Sequence, residues 1–229
     1  MIDKVLNLFT DIRYFFYYSF DIFLLLLAFF IKIFSFDTYK IKENDKNKKK
    51  SIIICNGPSL TKDISWIINN QSKFEISVVN YFANTSYFPS IKPRFYFLTD
   101  PMFWRSNITN DVYKDNDELF KNLKKVDWEM TIICPEKGYV NIRKKISNSF
   151  IKVEKLRHFS LDFKSKLVSI FSISLDLSTP LFATVAVMAL WYLITKNKKE
   201  IYLYGIDQSF FKEYTVDQKT NEIFNPNSH

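Results

Sequence analysis

Amide and carboxylate side chains recur at one kind of position in this sequence. Asn56 follows the apolar run Ile52–Cys55, Asn80 follows Phe74–Val79, Asp100 follows Pro93–Leu98 and Asp207 follows Ile201–Tyr204. Each run has the length and the β-branched or aromatic content of a buried strand. Such side chains can hydrogen-bond a ribose, a base edge or the surroundings of a phosphate. Asx residues are also ordinary turn formers, so the signal lies in the repetition at four strand ends. The stretch Asn56-Gly57-Pro58-Ser59 is the most telling of the four. Gly57 is one of three glycines in the chain, and glycine permits positive φ or close approach of a ligand. Ser59 is expected to cap a helix over Leu60–Asn70. Strand, tight turn and helix N-terminus is how an α/β sheet offers N–H groups to a phosphate. A ligand-free β–α turn fits the same residues, because the stretch is neither a GxGxxG fingerprint nor a P-loop.

The elements that must position these residues alternate along the chain. A further strand is predicted at Thr131–Cys134, and helices at Val112–Lys125, Tyr139–Ser147 and Pro180–Lys196. Thr179 is the expected N-cap of the last helix, with Pro180 at its first position. Residues 155–178 read as helical with a loop. Alternating strands and helices predict an α/β, Rossmann-like, mostly parallel sheet flanked by helices. Ligands of such sheets bind outside the carboxyl ends of the strands, where Asn56, Asn80, Asp100 and Asp207 all fall.

The chain has 229 residues, 18% of them aromatic, and a net charge of +8. That length accommodates one domain with appendages. Residues 40–50, KIKENDKNKKK, carry six lysines against Glu43 and Asp45, half of the net excess. The rest is close to balanced, so the basic character describes a linker and not a nucleic-acid-binding face. Before that linker, Tyr14–Phe36 is apolar apart from Asp21 and Lys32. A membrane-anchoring helix, spanning or in-plane, is favoured over a core helix or a cleavable signal peptide. Asp21 then has to lie near an interface or find a partner. The lysines after the segment place the following domain on the cytoplasmic face of the inner membrane. The expected organisation is a membrane-associated helix over 1–38, a basic linker over 39–50 and a nucleotide-sugar-binding domain over 51–229. Cys55 and Cys134 each end a predicted strand and read as small buried hydrophobes, and no Cys/His spacing suggests a metal site.

Asn56–Leu60 (NGPSL), a strand followed by Asn80, a strand followed by Asp100-Pro101, and the helix running into Lys199–Asp207 (KEIYLYGID) together resemble the bacterial sialyltransferases of glycosyltransferase family 42. They also resemble a broader group of bacterial surface-polysaccharide proteins, for lipopolysaccharide or capsule, with the same NGPSL and GID pattern. The resemblance covers about residues 51–229. It implies that Asn56, Gly57, Pro58 and Ser59 lie along the nucleotide and that Asn80 contacts it. Asp100 stands where the family carries an asparagine. Thr179 matches a serine near the phosphate, and Asp207 ends the GID motif at the same edge. Tyr214 matches one of two tyrosines that stabilise the departing phosphate; Ser209 stands near the place of the other. The family's arginine before the long helix is missing, with Asp176 nearest. The family's catalytic histidine lies a few residues beyond the position of His229, so the sequence is expected to be truncated there, with His229 as the histidine at hand. His158 is the only other histidine.

The implied partners are a nucleotide-sugar donor (CMP-linked in that family) as substrate, a glycan or glycolipid acceptor and the membrane, with no separate cofactor, no metal and no nucleic acid. Three functions stay open on the sequence: a membrane-attached, inverting glycosyltransferase; a pterin diphosphokinase-like transferase using Asp100 and Asp207 around a metal; and a non-catalytic scaffold in polysaccharide assembly.

Overall fold

The computed structural model describes the backbone of residues 2–34, 50–105, 110–156, 163–175, 177–180, 182, 184–207, 215–216, 220 and 223–224. The chain divides into two compact units, one of residues 1–42 with 157–182 and one of residues 43–156 with 183–229.

The second unit is built on a parallel sheet. Its elements in chain order are β1 (Lys50–Ile54), α2 (Leu60–Asn70), β2 (Glu75–Val79), α3 (Phe88–Ile91), β3 (Phe95–Phe97), α4 (Asn110–Lys124), β4 (Met130–Pro135), α5 (Glu136–Lys145), β5 (Ile151–Leu156), α7 (Val185–Thr195) and β6 (Glu200–Tyr204). Among the described residues six strands form one sheet in the order β5-β4-β3-β2-β1-β6, every pairing parallel. A short antiparallel pair, β7 (Thr215–Val216) and β8 (Ile223–Phe224), stands apart from it. The α/β sheet expected from the alternation is therefore present. β1 lies between β2 and β6, so the chain proceeds one way from β1 and returns on its other side.

Alternation along the strands sorts the core into two faces. Ile52, Ile54, Ile76, Val78, Tyr96, Leu98, Ile132 and Cys134 join one cluster with Leu60, Ile64 and Ile67 of α2 and with Leu119 and Leu123 of α4. On the other face Tyr192 of α7 meets Phe95 and Phe97 edge-on, with ring centroids 5.3 and 5.4 Å away, a favoured aromatic geometry. Cys55 and Cys134 are free and buried, and burial pushes their thiols up to about 11 and about 12.

Two elements differ from the sequence-based expectation. β5 was not anticipated: Ile151–Leu156 reads IKVEKL, and its last two residues fall in the stretch 155–178 that the sequence reads as helical with a loop. It is an edge strand, and charged side chains are how edges avoid pairing with other chains. Lys155 binds Glu136 at 3.1 Å and Lys152 binds Glu154 at 2.6 Å. The last helix starts at Val185 and not at Pro180. Thr179 and Thr184 both satisfy the capping pattern. Thr184 takes the role: its backbone is extended and its hydroxyl accepts the Val187 N–H at 3.4 Å.

The first unit holds α1 (Ile2–Phe34) and α6 (Lys166–Ser174), which pack on one another. Asp21 is fully buried there. Its two carboxylate oxygens accept the backbone N–H groups of Lys164 (2.8 Å) and Ser165 (2.7 Å). Asp21 thus finds its partner at the start of α6, where the helix dipole favours a negative charge.

At the amino edge of the sheet Lys198 and Glu75 form an ion pair at 2.9 Å, their side chains 7% and 5% exposed. Removing one member strands a buried charge. Lys198→Met should lower the free energy of unfolding by about 3–5 kcal/mol, and adding Glu75→Leu should recover most of it. Chemical denaturation of the two variants checks this.

Candidate functional site

The sheet presents the four strand-end residues along its carboxyl edge, on the neighbouring strands β6, β1, β2 and β3. Each is held by a contact within this edge. Asn56 donates from Nδ2 to the Val79 carbonyl at 3.3 Å, linking the ends of β1 and β2. The Asn80 side chain lies beside Asp100 and favours its charged form, bringing the ends of β2 and β3 together. The Asp207 Oδ2 accepts the Ser59 N–H at 2.7 Å, linking the exit of β6 to the start of α2. The result is a continuous row of amides and carboxylates over four strand ends.

The first turn is organised differently from expectation. Gly57 does not take positive φ; Gly205 does, at 65°. A Cβ on Gly57 would overlap Asp207 Oδ2 and the Gly205 carbonyl oxygen. The space beside Gly57 is therefore filled by the protein itself, and the glycine serves the close approach of two strand exits. Hydrogen bonds from Cys55 N to Tyr204 O (2.8 Å) and from Gly57 N to Gly205 O (2.9 Å) close the seam between β1 and β6. Ser59 sits at the N-cap position, yet its side chain makes no capping bond and its backbone is already helical. The cap comes instead from Asp207, 148 residues away. The N–H group that the turn was expected to offer a phosphate is thus occupied by a carboxylate. Pro58 is exposed at the same turn, and its carbonyl accepts the Thr61 hydroxyl at 2.9 Å.

The second turn, a 3₁₀ segment over Asn80–Asn84, begins with Asn80 at φ 49°, the left-handed region that asparagine tolerates better than most residues. Tyr96 of β3 holds it in place. Its fully buried hydroxyl donates to the Asn80 carbonyl and accepts the Ala83 N–H at 2.9 Å. Burial pushes the Tyr96 phenol up, so it stays a donor. Tyr81 of the same turn donates to Asn116 Oδ1 at 3.2 Å and contacts the Met102 sulfur at 3.0 Å. Burial, with the nearby Asp115 and Asp100, pushes its phenol up to about 12. Asn116 in turn donates to the Met102 carbonyl at 2.7 Å, joining α4 to the turn after β3. Sequence reasoning missed Tyr96, Tyr81 and Asn116 as positioning residues. The available signal was a tyrosine inside a strand with apolar neighbours, whose hydroxyl must find a partner once buried.

Asp100 is half-buried. Burial raises its carboxyl above the usual range, and the neighbouring Asn80 side chain acts in the opposite direction. The Asn80 Oδ1 has no hydrogen-bond partner among the described residues. The arrangement can accept and donate hydrogen bonds to a polyhydroxylated or heterocyclic ligand. No group of three or more metal-ligating side chains comes together among the described residues. Thr179 belongs to the other compact unit, half-buried, its hydroxyl without a hydrogen-bond partner among the described residues. Tyr214 and His229, and with them Ser209, Asp176 and His158, lie outside the described residues.

Two outcomes follow from this geometry. Asp207→Asn keeps an acceptor for Ser59 but loses the charge, and should cost about 1–2 kcal/mol of stability; Gly57→Ala should destabilise as well, by driving apart Asp207 and the β6 exit. Thermal melts of both check the capping role, and an unchanged melting temperature in either would count against it. Asp100→Asn tests the buried carboxyl. Its folded pKa lies above the ordinary carboxylate value of 3.8, so the folded state binds the proton more tightly and stability falls as pH rises through the folded pKa. The variant should therefore melt higher than the parent at neutral pH, and that gain should vanish below about pH 3.8.

No family model matches the sequence, and no curated protein matches it. A solved structure similar to this chain is the MAf glycosyltransferase from Magnetospirillum magneticum AMB-1, at 18% identity and a TM-score of 0.48. The likeness covers 76% of this chain and 24% of that one, so the chain spans about a quarter of that protein's length. A structural neighbour of the chain is thus a glycosyltransferase.

Proposed function

We propose that the chain is a membrane-attached glycosyltransferase whose sheet unit binds a nucleotide-sugar donor and whose partner substrate is a surface glycan or glycolipid. The observation that carries the reading is the row Asp207, Asn56, Asn80 and Asp100 along the carboxyl edge of four neighbouring strands. The resemblance of Asn56–Leu60 and Lys199–Asp207 to the family 42 sialyltransferases supports the class of chemistry. The nucleotide takes its hydrogen bonds from Asn56, Asn80 and Asp100, and its phosphate is received above the first turn and not at the Ser59 N–H, which Asp207 holds. An acceptor hydroxyl attacks the anomeric carbon as the bond to the phosphate oxygen breaks, in one inverting displacement without a metal. Its proton passes to an imidazole, the role proposed for His229. The Tyr214 hydroxyl and backbone N–H groups stabilise the departing phosphate. The membrane contact is made by α1, whose Arg13–Phe30 stretch is long and apolar enough to cross a bilayer and is 11% buried. The basic residues 40–50 beyond it fit the cytoplasmic face.

One observation favours a second reading, a non-catalytic scaffold: the helix N-terminus that would receive a phosphate already holds a carboxylate. Calorimetric titration of the detergent-solubilised full chain with CMP, UDP, GDP and ADP, with and without EDTA, separates the two. Binding of one nucleotide, indifferent to EDTA and weakened about tenfold by Asn80→Ala, the scale of one lost hydrogen bond, is the expected result. Binding that EDTA abolishes points to the diphosphokinase-like chemistry, and no binding at all supports the scaffold.

A further inference from the structure

The helix α6 is inside out for a helix in water. Its inward side carries Ser165, Val168, Ser169, Ser172 and Ile173, three of the five being serines, with Ser172 fully buried. Its outward side carries Leu167, Ile170, Phe171 and Leu175, exposed by 79%, 64%, 53% and 45%. A surface helix of a soluble protein turns its apolar stripe inward. Small residues at the helix contact and large apolar residues outside is the arrangement of helices packed in lipid, where burying apolar side chains against protein gains nothing.

Three further observations agree on what covers this face. The partner of α6 is α1, which buries Asp21 and Ala28, seven residues apart, and exposes Phe20, Ile22, Phe23, Leu26, Leu27, Phe29 and Phe30. The apolar surface of α6 is therefore continuous with that of the candidate membrane helix. The end of α6 that Asp21 holds is flanked by Lys164 and Lys166, and lysines border lipid at the headgroup level. Finally, the residues of α1 just before Asp21 read YFFYYSF over 14–20, with Arg13 over the Tyr14 and Tyr17 rings at 5.9 Å, the composition of an interfacial aromatic belt. Ser172 also donates to Ser178 at 2.9 Å, both buried, so the chain leaving α6 is tied back to its inward side.

We propose that α6 enters the lipid surface beside α1, its Leu167–Ile170–Phe171–Leu175 face among the acyl chains and its Asp21-held end at the headgroups. The inference rests on the reading that α1 anchors the chain, and it adds a second contact from a segment 130 residues or more downstream of it. It also resolves the carboxylate in the apolar stretch: Asp21 caps α6 at the interface and is spared the bilayer centre.

The test uses the full chain bound to phosphatidylcholine vesicles containing phosphatidylglycerol. An environment-sensitive fluorophore is placed at Ile170→Cys on α6, at Phe23→Cys on α1 and at Val140→Cys on exposed α5; the native Cys55 and Cys134 are buried, and the parent serves as blank. The expected result is quenching of the 170 and 23 probes by lipids carrying tail-borne nitroxides, with protection from aqueous iodide, and the reverse for 140. Iodide quenching at 170 with lipid quenching at 23 would overturn the α6 contact and leave the α1 anchor standing. Loss of vesicle binding altogether, with neither probe quenched by lipid, would remove both. Shielding of 170 from both quenchers would overturn it in favour of a protein contact. Leu167→Asp/Phe171→Asp should in addition lower vesicle partitioning about tenfold or more, given the scale of apolar burial per side chain, and unchanged partitioning would count against the proposal.

Discussion

The contact between the Asp207 carboxylate and the Ser59 N–H decides how the carboxyl edge of the sheet is built. β1 and β6 are neighbours in space and far apart in sequence, and their exits must diverge after running side by side. Gly57 supplies the missing side-chain volume and Gly205 the left-handed backbone that turns Asp207 towards α2. The carboxylate then satisfies an N–H at the positive end of that helix. Everything the first turn offers a ligand is conditioned by this. The Ser59 amide is taken, and the polarity left to the turn lies in the side chain of Asn56.

The second turn is held with equal economy of parts. Asn80 occupies a backbone region most residues avoid, and a single buried tyrosine from the next strand holds both ends of its hydrogen bonding. Tyr81 and Asn116 extend this hold to α4 and to the turn after β3. Residues that bind small polar ligands need such rigid support, because each freely rotating side chain must be ordered at the moment of binding.

A different balance governs the first unit. An aspartate in an apolar helix is costly unless it is paired. Here two backbone N–H groups at the start of α6 satisfy it, so the residue that looks like an interruption of the apolar segment is what joins two helices.

The parallel sheet was legible because its strands are short apolar runs with β-branched or aromatic residues, bounded by Asn, Gly, Pro and Asp, and separated by helical patterns. The placement of Asn56, Asn80, Asp100 and Asp207 at one edge followed from that topology alone, since every parallel strand ends on the same side. β5 was hidden because edge strands carry charge to avoid pairing, and the start of α7 because Thr179 and Thr184 carry the same local signal. What only the tertiary structure decided is which group each polar residue meets. Asp207 reaches across 148 residues to cap α2, Tyr96 locks a turn on another strand, and Asp21 finds α6 143 residues on. Periodicity and turn chemistry act within a few residues, so they set where strands and helices lie; a hydrogen bond between distant segments depends on strand order and crossover, which no local pattern encodes.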